Sequence, residues 1–366
     1  MTFLTQGKLN IIMDGQFGST GKGVISGHIA KHSARPLDWA ITNAAPNAGH
    51  TVDFNDGRGR MVAFHMPVSA LWNDNTMIYL CAGSIINPRI MAEEMEKFKI
   101  DPARVIIHPH AAILEQEDID AEADMSSSVT KIASTQKGVG HALSRKIMRR
   151  GNVAGNKFNL FPHGVRTAAI DFAKIFRDNG RELVLLEIPQ GFSLGVNSGF
   201  YPYTTCREIS VSQALSDMGM HPHYLGSTML SLRTYPIRVG NIVDAEGKEL
   251  GVSGPFFQDS EELTWEQLGQ IPEKTTVTKR IRRVATFSME QYKLAIDVNR
   301  PTHVFLNFCN YFKEPDALRK LLAGMYSYQF VTHAGIGPTT EDVIRIEGET
   351  INSVVDILKP HLGRVA

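Results

Sequence analysis

"IIMDGQFGSTGKGVISG", residues 11–27, decides how this chain is read. An apolar run enters a glycine-rich turn carrying one lysine, Lys22, and helix-compatible residues continue through His28 to His32. Strand, glycine turn and helix in that order make an anion site. The first amides of a helix have no partner within it, and the positive end of its dipole faces whatever precedes it. Gly15, Gly18, Gly21 and Gly23 allow positive φ and close approach of backbone to ligand. The run still departs from the familiar phosphate patterns. Gln16 stands where the first glycine of G-x-x-x-x-G-K-[ST] belongs, Gly23 replaces the hydroxyl that would hold magnesium, and G-x-G-x-x-G is absent. A structural turn is the plainer alternative. Four glycines and a lysine within nine residues favour a phosphate cradle.

Outward from this stretch, short apolar runs at 9–14, 39–43, 77–82, 104–108, 182–188 and 303–309 read as buried strands, and 87–98, 166–178 and 315–325 have helix length. That alternation predicts an α/β fold: a mostly parallel central sheet, helices on both faces, a phosphate loop resembling a P-loop, and small antiparallel excursions. "TMLSLRTYPIRVGNIVDAEGKELG" (228–251) reads as one such excursion. No repeat or linker interrupts the chain, so a single domain with insertions over residues 1–366 is expected.

The 366 residues are 43% hydrophobic, enough for a large core, and 38 Lys+Arg balance 38 Asp+Glu. Zero net charge disfavours a nucleic-acid or membrane-surface partner. Cys81, Cys206 and Cys309 are scattered, which suits a reducing compartment, and no leader or long apolar run is evident, so a cytoplasmic protein is expected.

Three further stretches carry polar chemistry. In "TNAAPNAGHTVDF" (42–54), Asn47, Gly49 and His50 offer backbone groups and an imidazole. "KIASTQKGVGHALSRKIMRRG" (131–151) sets Ser134 and Thr135 before a glycine loop and closes a helix with Arg149 and Arg150. "VTKRIRR" (277–283) alternates hydroxyls and bases, a local anion site in a neutral chain. Two His-Pro-His triplets (108–110, 221–223) read as loop residues rather than metal ligands.

Taken together and in order, these stretches resemble the adenylosuccinate synthetase family. Its opening runs G-x-Q-W-G-D-E-G-K-G-K, against "GQFGSTGKG" here, and its N-A-G-H-T-V is intact at Asn47–Val52. "VAFHMPVSALW" (62–72), "STQKGVGHALSRKIMRRG" (134–151), "LLEIPQGFSLGVNSGFYPYTT" (185–205), "TKRIRR" (278–283) and "GIGPTTEDVI" (335–344) match its later segments. The resemblance implies a carbon–nitrogen ligase. A nucleoside triphosphate phosphorylates O6 of a 6-oxopurine nucleotide, and the aspartate amine displaces that phosphate.

Residue by residue, the resemblance implies Ser19, Lys22 and His50 as catalytic groups. Gly18, Thr20, Gly21, Lys22, Gly23, Gly49, His50, Thr51, Arg282, Asn307, Asn310, Gly335, Gly337 and Pro338 would surround the triphosphate. Ser19, Asn47, Ser134, Thr135, Gln190, Thr205 and Gly240 would hold the purine nucleotide. Arg149 would reach it from a neighbouring subunit, so a homodimer is implied. Thr276, Val277, Thr278 and Arg280 would bind aspartate. Mg2+ would sit at Ser19 and the Gly49 carbonyl.

Two departures set the expected substrates. The family's catalytic aspartate falls on Ser19 and the next glutamate on Thr20. A serine hydroxyl neither takes the purine N1 proton nor binds magnesium well at neutral pH. It is smaller and uncharged, leaving room for the 2-amino group of guanine. In this the chain resembles a bacteriophage branch of the family that acts on dGMP, which would work in the host cytoplasm. Asp14 is the candidate for the N1 proton. The family's guanine-reading T-K-L-D corresponds to "VFLNFCNYF" (304–312), which lacks a carboxylate and offers Asn307 and Asn310, so ATP or dATP is expected over GTP. Lys279 stands where the family has glycine. The partners expected are therefore dGMP, L-aspartate, ATP and a second copy of the chain. The alternatives are an ordinary member acting on IMP, a nucleotide kinase or NTPase, and a non-catalytic nucleotide binder.

Overall fold

The structure, a computed structural model, describes residues 3–54, 56–123, 131–246, 248–275 and 279–364. Its main sheet has ten strands: β1 (Lys8–Asp14), β2 (Trp39–Thr42), β3 (Met77–Leu80), β4 (Val105–Ile107), β5 (Arg166–Thr167), β6 (Leu183–Gly191), β7 (Leu225–Arg233), β8 (His303–Asn307), β9 (His333–Gly335) and β10 (Val343–Arg345). Their spatial order is β10-β9-β8-β7-β1-β6-β2-β3-β4-β5. Every pairing is parallel except β9 with β10.

β1 is central, flanked by two strands from much later in the chain. Leu9 to Asp14 are all buried, as a parallel strand covered on both faces requires. Leu9, Ile11 and Met13 join one core with Phe172, Leu186 and Leu306, while Ile12 points to the other face, against Ile25 and Ile29 of helix α1 (Lys22–His32). Asn10, buried between them, has its amide satisfied by the carbonyls of Thr5 and Val184 and its oxygen by the amides of Thr5 and Ser227.

The predicted helices at 87–98 and 315–325 are found at Pro88–Phe98 and Pro315–Tyr326, each with proline at its first position. Segment 166–178 divides: its first residues are the edge strand β5, and only Phe172–Asp178 is helical, capped by Asp171. The antiparallel reading of 228–251 is corrected. Its first quarter lies in β7, a central parallel strand. Thr228 and Ser231 are buried rather than solvated. Only its later residues turn antiparallel, with Ile242–Val243 pairing Glu249–Gly251. No helix among the described residues is long and apolar enough to cross a membrane.

One edge of the sheet packs histidines without salt partners for each. Phe3 lies against His28, His303 and His333 at ring distances of 5.7, 6.1 and 5.2 Å, and His333 stacks on Phe305 at 4.5 Å. Burial lowers the pKa of all three, His333 to about 3. In the unfolded chain an imidazole protonates near pH 6.5, so between the two values the unfolded state holds more protons. For His333 this contribution to stability is complete above pH 6.5 and is lost as pH falls from there towards 3, at no more than about 1.4 kcal/mol per unit; His28 and His303 act in the same direction. Urea titrations between pH 7.5 and 4.5 should show that decline. His333→Phe, which keeps a ring in the stack, should flatten it; an unchanged slope would remove His333 from the account.

Candidate active site

β1 ends on Asp14, and its carboxylate turns beneath the adjoining loop. Oδ1 accepts from the amides of Gln16 (2.9 Å) and Gly18 (3.2 Å); Oδ2 accepts from the amide (3.1 Å) and hydroxyl (2.7 Å) of Thr20. Gly18, Ser19 and Gly21 take φ values of 93°, 57° and 88°. The amides of residues 16, 18 and 20 therefore point inward. Those of Ser19, Gly21, Lys22 and Gly23 have no acceptor among the described residues, which leaves them for an anion at the start of α1.

Neighbouring strand ends fix the loop from behind. Arg233, fully buried at the end of β7, donates to the Ser19 carbonyl (3.1 Å) and makes a bidentate pair with Glu273 (2.5 and 3.2 Å). Its guanidinium lies 3.9 Å from the Phe308 ring centre, and the Tyr311 hydroxyl donates to Glu273 at 3.0 Å. Asn307, at the end of β8, donates to the Thr20 carbonyl (2.7 Å) and to the Ser231 hydroxyl (3.1 Å). Gly23 has a packing reason: a Cβ there would come 2.4 Å from the Thr51 carbonyl oxygen.

That carbonyl belongs to an antiparallel ribbon, His50–Asp53 with Arg60–Ala63. Its first residue places His50 Nε2 3.0 Å from Lys22 Nζ. Burial, and then the Lys22 charge, hold the His50 imidazole well below its ordinary pKa, so it is neutral at pH 7. Burial lowers Lys22 to about 8, against the opposing pull of Glu187 and Asp14. Lys22 is thus the donor. Nδ1 also lies 3.3 Å from Lys22 Nζ, so both ring nitrogens face the ammonium and the neutral imidazole accepts from it at one of them.

Loop, ribbon, residues 270–275 and Arg282 enclose a cleft of about 560 Å3. Of the residues expected from sequence, Gly18, Ser19, Thr20, Gly21, Lys22, Gly23, Asn47, Gly49, His50, Thr51, Thr135, Gln190, Arg282, Asn307, Asn310, Gly337 and Pro338 line it. Burial lowers the Arg282 pKa to about 10, with Glu273 opposing, so it stays cationic at pH 7.

The others have different surroundings. Gly335 and Gly240 serve packing: a Cβ would meet Asn307 Oδ1 at 2.2 Å and the Ile281 carbonyl oxygen at 2.1 Å. Arg280 donates to the carbonyls of Ala133 (2.9 Å) and Ser134 (3.2 Å), and the Ser134 hydroxyl accepts from the Gln136 amide. Thr205 does not line the cleft, but its amide donates to the carbonyl of Leu194, which does. Arg149 is exposed, with φ of 60°. Thr276, Val277 and Thr278 lie outside the described residues. Lys279 keeps the left-handed backbone of a glycine, φ 60°, at a cost of about 1–2 kcal/mol.

Two expectations are corrected. Asn307 has both amide hydrogens committed inside the protein, so it is not a ready-made adenine reader; Asn310 gives one of its own to the Arg364 carbonyl (3.1 Å). Asp14 is 1% exposed and four donors fill its oxygens, which leaves it unable to take a proton from a bound base. Sequence reading missed Arg233, Glu273, Phe308 and Tyr311. They meet only in three dimensions and carry no local motif.

No group of three His, Cys, Asp or Glu gathers as a metal site among the described residues. Ser19 and Gly49, the expected donors, both line the cleft but offer only neutral oxygens. Such a set fits a Mg2+ that draws most of its six oxygens from phosphates and water.

The cleft has the parts for handling phosphoryl groups: a helix N-terminus, a lysine of lowered pKa, a neutral histidine and an arginine. The sequence model of the adenylosuccinate synthetase family matches residues 11–166 and 163–347, and the chain belongs to that family of carbon–nitrogen ligases. Among its relatives is the N6-succino-2-amino-2′-deoxyadenylate synthase of Salmonella phage PMBT28, 35% identical, with 92% of this chain and 97% of the relative covered. The adenylosuccinate synthetase of Archaeoglobus fulgidus is 31% identical, covering 80% and 81%. A solved structure of the cyanophage S-2L succinoaminodeoxyadenylate synthetase, bound to dGMP and dATP as an energy donor, superposes with a TM-score of 0.84 at 33% identity, over 97% of this chain and 99% of that one.

Gly23→Ser would supply the missing hydroxyl of the Walker pattern on paper, with Gln16 still at its first position. Here it should instead push α1 off the ribbon, lowering ATP affinity at least about tenfold and the melting temperature with it. Equilibrium dialysis and thermal melts check this; an active, stable variant would show that the Thr51 contact is loose.

Proposed function

We propose that the chain joins L-aspartate to C6 of dGMP at the expense of ATP or dATP, giving N6-succino-2-amino-2′-deoxyadenylate, the nucleoside diphosphate and phosphate. One observation carries this reading. The loop holds the full phosphate machinery around Lys22 and His50, yet presents the uncharged Ser19 where the family has its catalytic aspartate. The similarity to phage synthases, one of them bound to dGMP, supports it.

The chemistry follows from charge. A carbonyl oxygen is a poor leaving group and phosphate a good one. O6 of the purine attacks the γ-phosphorus, the diphosphate departs, the aspartate amine adds at C6, and phosphate leaves. The outward amides of Ser19, Gly21, Lys22 and Gly23 and the Lys22 ammonium hold the phosphoryl oxygens as they pass from donor to O6. Neutral His50 donates to the oxygen where charge grows. Arg282, with Arg280 beside the Ala133–Ser134 backbone, supplies cations for the aspartate carboxylates. Bound Mg2+ would neutralise phosphate charge, with the Ser19 hydroxyl and the Gly49 carbonyl as its protein oxygens. The preference for ATP or dATP rests on the absence of a carboxylate from residues 304–312, where the family reads guanine. Glu273 lines the cleft, but Arg233 and Tyr311 occupy it.

The working unit is a homodimer in this reading. Arg149 is exposed and outside its own cleft, next to Ile147 and Met148, which are 68% and 52% exposed. Nucleic acid and membranes have no part in it, and the reaction runs in the cytoplasm of an infected host.

The deciding assay offers ATP, magnesium and aspartate with either dGMP or IMP and follows succinylated product. Aspartate-dependent product from dGMP bears the reading out. Turnover of IMP alone makes the chain an ordinary synthetase, phosphate transfer without aspartate a kinase, and GTP preferred over ATP overturns the base assignment. Because Lys22 must be protonated, kcat/KM for ATP should fall as pH rises through about 8. Mixing inactive Lys22→Met with inactive Arg149→Leu should restore about a quarter of wild-type activity if arginine crosses the interface, since half the dimers are mixed and each has one intact site. No recovery would place Arg149 elsewhere.

A further inference from the structure

We infer that Asp14 is a positioning residue for phosphoryl transfer, a built-in anion beneath the loop that decides which amides face the incoming phosphate. This rests on the function proposed above for the same cleft.

Asp14 borders the cleft, but its carboxylate oxygens are taken up by the loop. It is buried, and all four groups around it donate to it: the amides of Gln16, Gly18 and Thr20 and the Thr20 hydroxyl. The three backbone amides can only donate, which favours the anion against the burial that raises the carboxyl pKa; the Thr20 hydroxyl also lies 2.9 Å from that of Ser231. By drawing in amides 16, 18 and 20 it turns the intervening ones outward. Ser19, at φ 57°, is the residue whose backbone makes that alternation possible, and Arg233 pins its carbonyl from below. Thr20 is fixed three ways: amide and hydroxyl to Asp14, carbonyl to Asn307 and to the Ser231 hydroxyl. The loop therefore holds its anion-binding shape before a nucleotide arrives, and no ordering cost falls on the binding step.

Asp14 also acts at a distance. Three ionisable groups bear on Lys22: His50 in contact, and Glu187 and Asp14 through their charge. Removing the Asp14 charge takes away one of two anions that keep the lysine protonated inside the protein.

The test uses the full-length protein with Asp14→Asn and Thr20→Val, each checked for folding by circular dichroism. For Asp14→Asn, kcat should fall about 30- to 100-fold while KM for dGMP stays within about threefold, and the alkaline limb of the kcat/KM profile should move to lower pH. Thr20→Val keeps the charge and loses one donor. Its kcat should fall about tenfold with the limb unmoved. A merely structural role moves neither the limb nor the ratio of the two parameters. Wild-type kcat in Asp14→Asn, or a loss with an unmoved limb, overturns the inference and leaves the ligase reading intact. If Asp14→Asn does not fold, wild-type kcat in Thr20→Val overturns it. If the wild type proves not to be a ligase, ATP affinity decides instead: at least about tenfold weaker binding by Asp14→Asn supports the loop clamp, and equal binding removes it.

Discussion

A turn that shows alternate amides to a ligand must satisfy the others from within, and here one carboxylate on the last residue of the central strand does so. The rest of the architecture serves that contact. Asp14 can sit beneath the loop only because β1 stops there. Both neighbours of β1 run parallel to it, so their carboxyl ends arrive at the same level: Gly191 from β6, Ser231 and Arg233 from β7, and beyond them Asn307 from β8. Each touches the loop or the groups that hold it. Ligand sites of open parallel sheets gather at that edge for the same reason.

The charges inside the site stand in balance. Lys22, buried, has Asp14 and Glu187 within its field, and neutral His50 accepts from it. Arg233 and Glu273 form a pair that is costly to break because either partner alone would be a buried, unmatched ion. The aromatic rings of Phe308 and Tyr311 cover that pair and also wall the cleft, so the strut and the nucleotide pocket share the same side chains.

Much of this was legible in the linear chain. Continuous apolar runs gave β1, β2, β3, β4, β6 and β8, because strands buried on both faces need no polar alternation. The glycines of the phosphate loop were legible because positive φ restricts residue choice. β7 was read together with the polar, glycine-containing turn that follows it, and only the fold shows that residues 228–233 pair in parallel with β1 and β8. The role of Gly23 was invisible, since a close approach of helix to ribbon is a property of two segments. The same holds for the two glycines at 240 and 335, which the family resemblance assigned to ligands and the packing assigns to backbone contacts. Asn307 illustrates the limit in the other direction. An amide can read adenine, but the sequence does not disclose that its hydrogens already have acceptors.

The order of the strands has a consequence for how the protein is made. β1 leaves the ribosome first, yet its partners lie at residues 183–191 and 225–233. At roughly 5–20 residues per second, the strand waits on the order of ten seconds or longer before both flanks exist. Throughout that interval neither edge of β1 has its native partner strand, and the lysine loop has neither Ser231, Arg233 nor Asn307 to brace it. Nascent chains therefore cannot capture nucleotide early. The N-terminal segment depends on remaining unpaired, or on chaperones, until the second half of the molecule emerges.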